Sequence, residues 1–384
     1  MLVGCNYKKP YINKKLKMEN LEFDDKISEE TEITEIPQEI RKINTQAYDK
    51  SVSDIVRMID DGDINLNPEY QRNYIWDNKK SSLLIESIIL NVPIPVIYVS
   101  QEADDSWTVI DGLQRLNSLH RFFQRDYKLS GLEILTELNK SDIKSLNPKA
   151  VRVLRNGLLR IIVISHDSHP EIKYDVFMRL NTGAVKLNDQ ELRNCLYRGS
   201  MNDKLKEIVS KPNILKLFNL EMPHNRMSDC ELILRFLALL DNYDENENQI
   251  KNYKGRMKTF INEYLLKTKN LDPSLLMQLD EMIEDTAKTI IEIYSVNAFN
   301  RFNSDGQYES TLNRSLMDIL FLSTTVLPSE KLIEYKDQIF ARYKELVIND
   351  SEFRNSITIG TSDTKVLNYR LNRWISEIKN IING

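Results

Sequence analysis

The chain has 384 residues, 41% of them hydrophobic and 28% charged, and a formal net charge of −5. This is ordinary globular composition, which excludes wholesale disorder, and the length exceeds what one hydrophobic core fills, so two domains are expected. No apolar run reaches the about 20 residues of a membrane-spanning helix. The three cysteines (Cys5, Cys195, Cys230) are too scattered for a disulfide framework or a zinc cage, which points to a reduced, cytoplasmic protein with no membrane partner.

Charge varies along the chain. Residues 1–18 carry five lysines and no acid, residues 19–63 carry 14 acids against 5 bases, and residues 64–200 carry 18 bases against 16 acids. No region has the basic excess of a protein that coats DNA, although 64–200 is the part best suited to an anion. Leu2-Val3-Gly4-Cys5 looks like a lipoprotein cleavage box, but no apolar stretch precedes it. Met18 offers an alternative start of translation. Residues 1–45, polar and charged, are expected to be a disordered tail.

Order is expected to begin near Tyr48. Ser51 caps an apolar helical pattern through Ile59, and Gly62 closes it. Asn67-Pro68 starts an extended or turn segment through Trp76. Asp77 then caps a helix carrying Leu84, Ile85, Ile88 and Ile89, which Pro93 and Pro95 must end. Val96 to Val99 and Trp107 to Ile110 read as short strands around a polar turn. A helix from Leu113 to about Phe123 buries Leu116, Leu119, Phe122 and Phe123. Leu158 to Ser165 is β-rich, and Tyr174 to Leu180 is helical until Asn181-Thr182-Gly183 breaks it.

Beyond about residue 200 helices follow almost without interruption. Ser228-x-x-Glu231 reads as a capping box, and Asp272-Pro273 opens a helix through Tyr294. Further helices are expected at Leu312–Val326, Ser329–Val347 and Asp363–Ile382. The division is a tail (1–45), an α/β domain (46–200) and a helical domain (201–384).

The densest chemistry is Asp111-Gly112-Leu113-Gln114-Arg115. A strand end, a glycine turn and an immediate helix aim unpaired N–H groups and the positive helix end at one point, which suits an anion. Arg115 adds a forked cation for a phosphate, and Asp111 could hold a metal or a sugar hydroxyl. The blander alternative is a D-x-x-Q capping arrangement of Asp111 with Gln114 that needs no ligand. Two further clusters are Glu69-Tyr70-Gln71-Arg72, whose arginine faces a ligand or stacks on Trp76, and Phe177 to Gly183, a helix stop before the Asn188-x-x-Glu191 cap. His166-x-x-His169 sits in a polar loop without further ligands, and Glu171-Ile172-Lys173 is half of a nuclease motif of a kind that arises by chance.

In this order and spacing, Pro68 to Trp76, Ile88 to Pro95, Val109 to Leu116, and Phe177 to Leu187 with Glu191-Leu192 resemble the N-terminal domain of GmrSD-type restriction enzymes, built around a D-G-x-Q-R motif. The resemblance covers roughly residues 45–200. It implies a ParB/sulfiredoxin-like N-terminal domain; with the all-helical C-terminal domain read from the pattern beyond residue 200, the expected class is α+β. It also implies NTP binding, often NTP hydrolysis, and a role in defence against foreign or modified DNA. Carried over, Gln71, Gly112, Gln114, Arg115 and Asn181 become nucleotide-binding candidates. Asp111 and Arg72 become catalytic candidates, with Asp111 also a ligand for Mg²⁺. Leu113 stands where the family most often has Gln, and Asn117-Ser118 replaces a pair of threonines at what is expected to be helix surface. Larger members add an HNH nuclease, but the four histidines here are His120, His166, His169 and His224, so that nuclease is expected on a separate partner subunit. The expected partners are a nucleotide, DNA and that effector. The alternative function is a non-enzymatic nucleotide-sensing or DNA-associated module.

Overall fold

A computed structural model of the chain describes residues 43–66, 76–180, 188–303 and 305–383. Residues 1–42, most of the expected tail, lie outside these, as do Gln71, Arg72 and Asn181.

The first half runs β1 (Thr45–Ser51), α1 (Val52–Asp60), β2 (Ile64–Asn65), α2 (Asn78–Ile89), β3 (Ile97–Gln101), β4 (Trp107–Asp111) and α3 (Leu113–Phe123). It continues with α4 (Pro148–Asn156), β5 (Leu158–Ile164), α5 (Pro170–Leu180) and α6 (Asp189–Leu196). Caps set the boundaries. Ser51 accepts from the Asp54 N–H at 3.1 Å, and Asp77 accepts from the Lys80 N–H at 2.7 Å, each satisfying a helix-start donor. Gly62 turns the chain out of α1 at φ +85°, a left-handed conformation that glycine adopts without a Cβ penalty.

The five strands form one mixed sheet in the order β1-β5-β3-β4-β2. β3 runs parallel to β5, β2 runs parallel to β4, and the other two neighbouring pairs are antiparallel. Alternation along the strands sorts the side chains. Ile97, Val99, Val109, Ile161 and Val163 join a core with Ile55 of α1, Ile85 of α2 and Leu116, Leu119 and Phe122 of α3. Ile110 and Ile164 point the other way, into a second core.

That second core starts with Ile164 and takes in Tyr174, Phe177, Leu192 and Tyr197, so α5 and α6 pack with the C-terminal helices. The change of core at Ile164 therefore precedes the change of composition near residue 200. The remaining elements are α7 (Ser200–Val209), α8 (Pro212–Leu217), α9 (Ser228–Asp241), β6 (Tyr243–Asp244), β7 (Gln249–Ile250), α10 (Met257–Thr268) and α11 (Pro273–Tyr294). Then come β8 (Asn300–Phe302), β9 (Tyr308–Leu312), α12 (Arg314–Val326), α13 (Ser329–Glu334), α14 (Lys336–Asn349), α15 (Ser351–Ser356) and α16 (Thr364–Asn383). In α9 and α12 nearly every face is buried, as expected of helices at the centre of a bundle.

Three expectations are corrected. The C-terminal half is not all-helical, because β6–β7 and β8–β9 form two-stranded antiparallel ribbons. The helix expected at 329–347 is two helices meeting at Tyr335. The Ser228-x-x-Glu231 box does not form: Met227, at φ +58°, is the N-cap of α9 with no side-chain cap bond, and Glu231 instead receives Arg193.

Candidate functional site

β4 ends at Asp111, and Gly112 turns the chain into α3 with φ +99° and ψ +7°. A Cβ on Gly112 would lie 2.9 Å from Ile97 Cγ1 and 3.3 Å from Arg115 Nη2, so both the conformation and the packing require glycine. Opposite this corner the β3–β4 register shifts between Tyr98 and Val99, an irregularity of the kind that re-aims side chains beside a site.

Arg115 is turned inward. Its Nη2 donates to Asp111 Oδ2 at 2.6 Å, and its Nη1 donates to the Val96 carbonyl at 3.2 Å and to the Pro95 carbonyl. The arginine side chain is 12% exposed, whereas Asp111 keeps 40%. Burial pushes the Arg115 pKa down and Asp111 pushes it back up; the guanidinium stays charged. Gln114 Oε1 accepts from the Trp76 N–H at 3.0 Å. The motif thus grips two other pieces of chain: Arg115 the lead into β3, Gln114 the entry to α2.

This geometry removes the D-x-x-Q capping alternative. The N-cap of α3 is Gly112, with no side-chain cap bond, and Asp111 and Gln114 are engaged elsewhere. Among the described residues no side chain caps the first N–H groups of α3. The expected surface pair Asn117-Ser118 is also corrected, since both are buried, with Ser118 Oγ 2.9 Å from Ser81 Oγ on α2. The short side chains of Ser118 and Ser81 let α3 and α2 approach closely.

The corner brings together Asp111, Gly112, Gln114 and Arg115 of the sequence candidates. Trp76 is covered by Lys80, whose Nζ lies 4.8 Å from the ring centroid. The turn at Asn181-Thr182-Gly183 lies outside the described residues, but the cap that follows it is formed. Asn188 accepts from the Glu191 N–H at 2.8 Å, and Glu191 accepts from the Asn188 N–H at 2.7 Å. Sequence reasoning missed what α6 does next. Glu191 also receives Arg226 at 2.8 Å, and the buried Arg193 donates to Glu231 at 2.9 Å and to Asn262 at 2.7 Å. These contacts tie α6 to α9 and α10. The only sequence signal was the acid at 231, which looked like a cap residue.

His166 is exposed and its carbonyl accepts from Lys173 Nζ at 3.0 Å. Among the described residues no three His, Cys, Asp or Glu side chains come together as a metal group.

Residues 52–198 match the family model described as GmrSD restriction endonuclease, N-terminal domain. The chain carries a GmrSD N-terminal domain. Its match opens at the first residue of α1 and closes just past α6, so the GmrSD domain includes the D-G-x-Q-R corner and also the two helices that pack on the C-terminal core. Searches of curated proteins and of solved structures returned no significant match. None of the described helices is long and apolar enough to cross a membrane.

Proposed function

We propose that the chain binds a nucleoside triphosphate at the Asp111–Arg115 corner and serves restriction-type defence against foreign or modified DNA, with a separate nuclease subunit cutting the DNA. The observation that carries this reading is the start of α3. Among the described residues it has no side-chain cap, it rises from a left-handed glycine at the end of an interior strand, and it lies within a GmrSD domain.

In this reading the backbone N–H groups after Gly112 receive phosphate oxygens. Gln114 and Arg115 act by fixing the two flanking chain segments rather than by grasping the ligand themselves. Gln71, Arg72 and Asn181 enter on the family resemblance alone, Arg72 as the cation that neutralises charge developing during phosphoryl transfer. Magnesium fits in one way. Mg²⁺ in nucleotide sites is held by one or two carboxylates plus phosphates, and Asp111, still partly exposed, has Oδ1 to offer while Arg115 occupies Oδ2.

A second reading, a sensor that binds nucleotide without turning it over, is favoured by that same pairing, because a carboxylate engaged by an arginine is a weak activator of water. Purified full-length protein incubated with each NTP and Mg²⁺ separates the readings. Release of inorganic phosphate supports hydrolysis, and saturable binding without release supports sensing. Binding of no NTP at millimolar concentration removes both. The isolated chain should leave DNA uncut with Mg²⁺ or Mn²⁺; cleavage that survives repurification and is lost on substituting one carboxylate overturns the assignment of cutting to a partner.

A further inference from the structure

From Ile143 to His166 the chain has no acid in 24 residues but five strong bases: Lys144, Lys149, Arg152, Arg155 and Arg160. The excess is local, since acids outnumber bases 57 to 52 in the whole chain. Arg160 is neutralised by Asp49, which it grips with bonds of 2.9 and 2.7 Å. The other four are exposed and have no acidic partner among the described residues.

Three of the four stand on α4. Ala150 and Leu154 turn to the core, and Lys149, Arg152 and Arg155, each three residues from the next, line the opposite, solvent side. The helix that carries them is fixed. Asn147 caps it, accepting from the Ala150 N–H at 2.8 Å, and Pro148 occupies its first turn. At its end, a Cβ on Gly157 would lie 2.5 Å from Ile88 Cγ2, so the chain is seated tightly on α2.

Carboxylates on the adjoining elements serve other donors. Asp142 accepts from the Lys144 and Ser145 N–H groups at 3.0 and 2.9 Å, and Asp54 of α1 accepts from the Ser51 hydroxyl at 2.7 Å. Glu86 of α2 accepts from the Ile134 and Leu135 N–H groups. An unopposed row of cations costs self-repulsion and adds nothing to the core. It suits a polyanion, because a single carboxylate among the bases would repel a phosphate. The row spans about 9 Å of helix, and its two arginines present forks that match phosphate oxygens.

We propose that Lys144 and the Lys149–Arg152–Arg155 row of α4 form a docking surface for the phosphate backbone of duplex DNA, which they hold without reading its sequence. The choice of DNA rests on the reading of the chain as a restriction-type protein. The surface itself does not depend on the nucleotide corner. α2 separates the two: the chain entering it is bonded to Gln114, and Ile88, about 15 Å along the helix, packs on Gly157.

The test is titration of a labelled DNA duplex of arbitrary sequence with the full-length protein, over a range of sodium chloride and without nucleotide. Wild type should bind, with log affinity falling linearly against log salt. The triple variant Lys149→Gln, Arg152→Gln, Arg155→Gln should bind at least about tenfold more weakly, with a slope shallower by about 3, and should melt as wild type does. Lys288→Gln, Lys331→Gln, Lys336→Gln changes the net charge equally, at exposed lysines paired with acids in the C-terminal half, and should bind like wild type. Wild type that binds no duplex at low salt overturns the proposal. So does a triple α4 variant that binds as wild type does, or a control variant that loses as much. If an RNA duplex or polyglutamate displaces the label better than unlabelled DNA at equal charge, the assignment to DNA falls. Should the triple variant not fold, Arg152→Gln and Arg155→Gln decide singly, each lowering the slope by about one if the proposal holds and leaving it unchanged if not. Because no nucleotide is present, failure of the corner to bind NTP leaves these results intact.

Discussion

Arg115 reaches back one helical turn to Asp111, Nη2 to Oδ2 at 2.6 Å, and from there its other arm holds the carbonyls of Pro95 and Val96. The pair locks the end of β4 to the chain entering β3, across the corner where α3 begins. An arginine bound this way maintains the shape of the corner.

The first consequence is for stability. Arg115→Ala leaves two carbonyls and a carboxylate without their donor and should lower unfolding free energy by about 1.5–3 kcal/mol, whereas a replaceable surface residue costs within about 0.5 kcal/mol. Arg115→Lys should recover little, since one ammonium cannot reach both carbonyls and Asp111 with the geometry of a fork. Denaturant titration measures both. An Arg115→Ala protein as stable as wild type would remove the clamp.

Gly112→Ala should be costly for a different reason. A left-handed conformation costs a non-glycine residue about 1–2 kcal/mol, and here the added Cβ also meets Ile97 Cγ1 at 2.9 Å. Ile97→Val, which lacks the δ-methyl but keeps Cγ1, should not rescue it. Ile97→Ala should relieve part of the clash while making its own cavity. Comparing the double variant with the two singles isolates the contact term.

Acid should loosen a loop on the far side of α2. Burial would raise the Glu86 pKa, but its carboxylate accepts from the backbone N–H groups of Glu133, Ile134 and Leu135, which outweigh burial and hold it below the ordinary glutamate value. A carboxylate depressed in the folded state stabilises above its unfolded pKa of about 4.3, and that stabilisation is lost as pH falls through the folded value. Glu86→Gln should therefore be clearly less stable than wild type at neutral pH, with the difference shrinking as the pH is taken below about 4. A difference that stays constant with pH would show that the charge is irrelevant to the loop.

Local signals made much of the GmrSD domain legible in sequence. The caps at Ser51, Asp77 and Asn188 and the apolar spacing of α1, α2 and α3 fall where they were expected, because each is decided within a few residues. What was missed depends on residues far apart. β1 is a polar, largely exposed strand that exists because β5 offers it an edge 107 to 119 residues away in register, from Ser51 with Leu158 to Thr45 with Ile164. The hold of Arg115 on the Pro95 and Val96 carbonyls was invisible because those carbonyls lie about 20 residues away in sequence. Glu231 looked like a cap because nothing local reveals Arg193 arriving from α6. The ribbons β6–β7 and β8–β9 are too short for periodicity to register.

The central claim is that anionic phosphate sits at the start of α3, and Gln114→Glu tests it most directly. The substitution is isosteric, keeps an acceptor for the Trp76 N–H, and adds a negative charge in the first helical turn, where the helix dipole favours it. Folding should be unharmed, but a phosphate there would be repelled. Titration of full-length protein with each NTP and Mg²⁺, beside thermal melts, should show saturable binding by wild type. It should also show at least about tenfold weaker binding by Gln114→Glu, a loss of about 1.4 kcal/mol, with an unchanged melting temperature. Wild type that binds no NTP at millimolar concentration, or Gln114→Glu that binds as tightly as wild type, would contradict the claim.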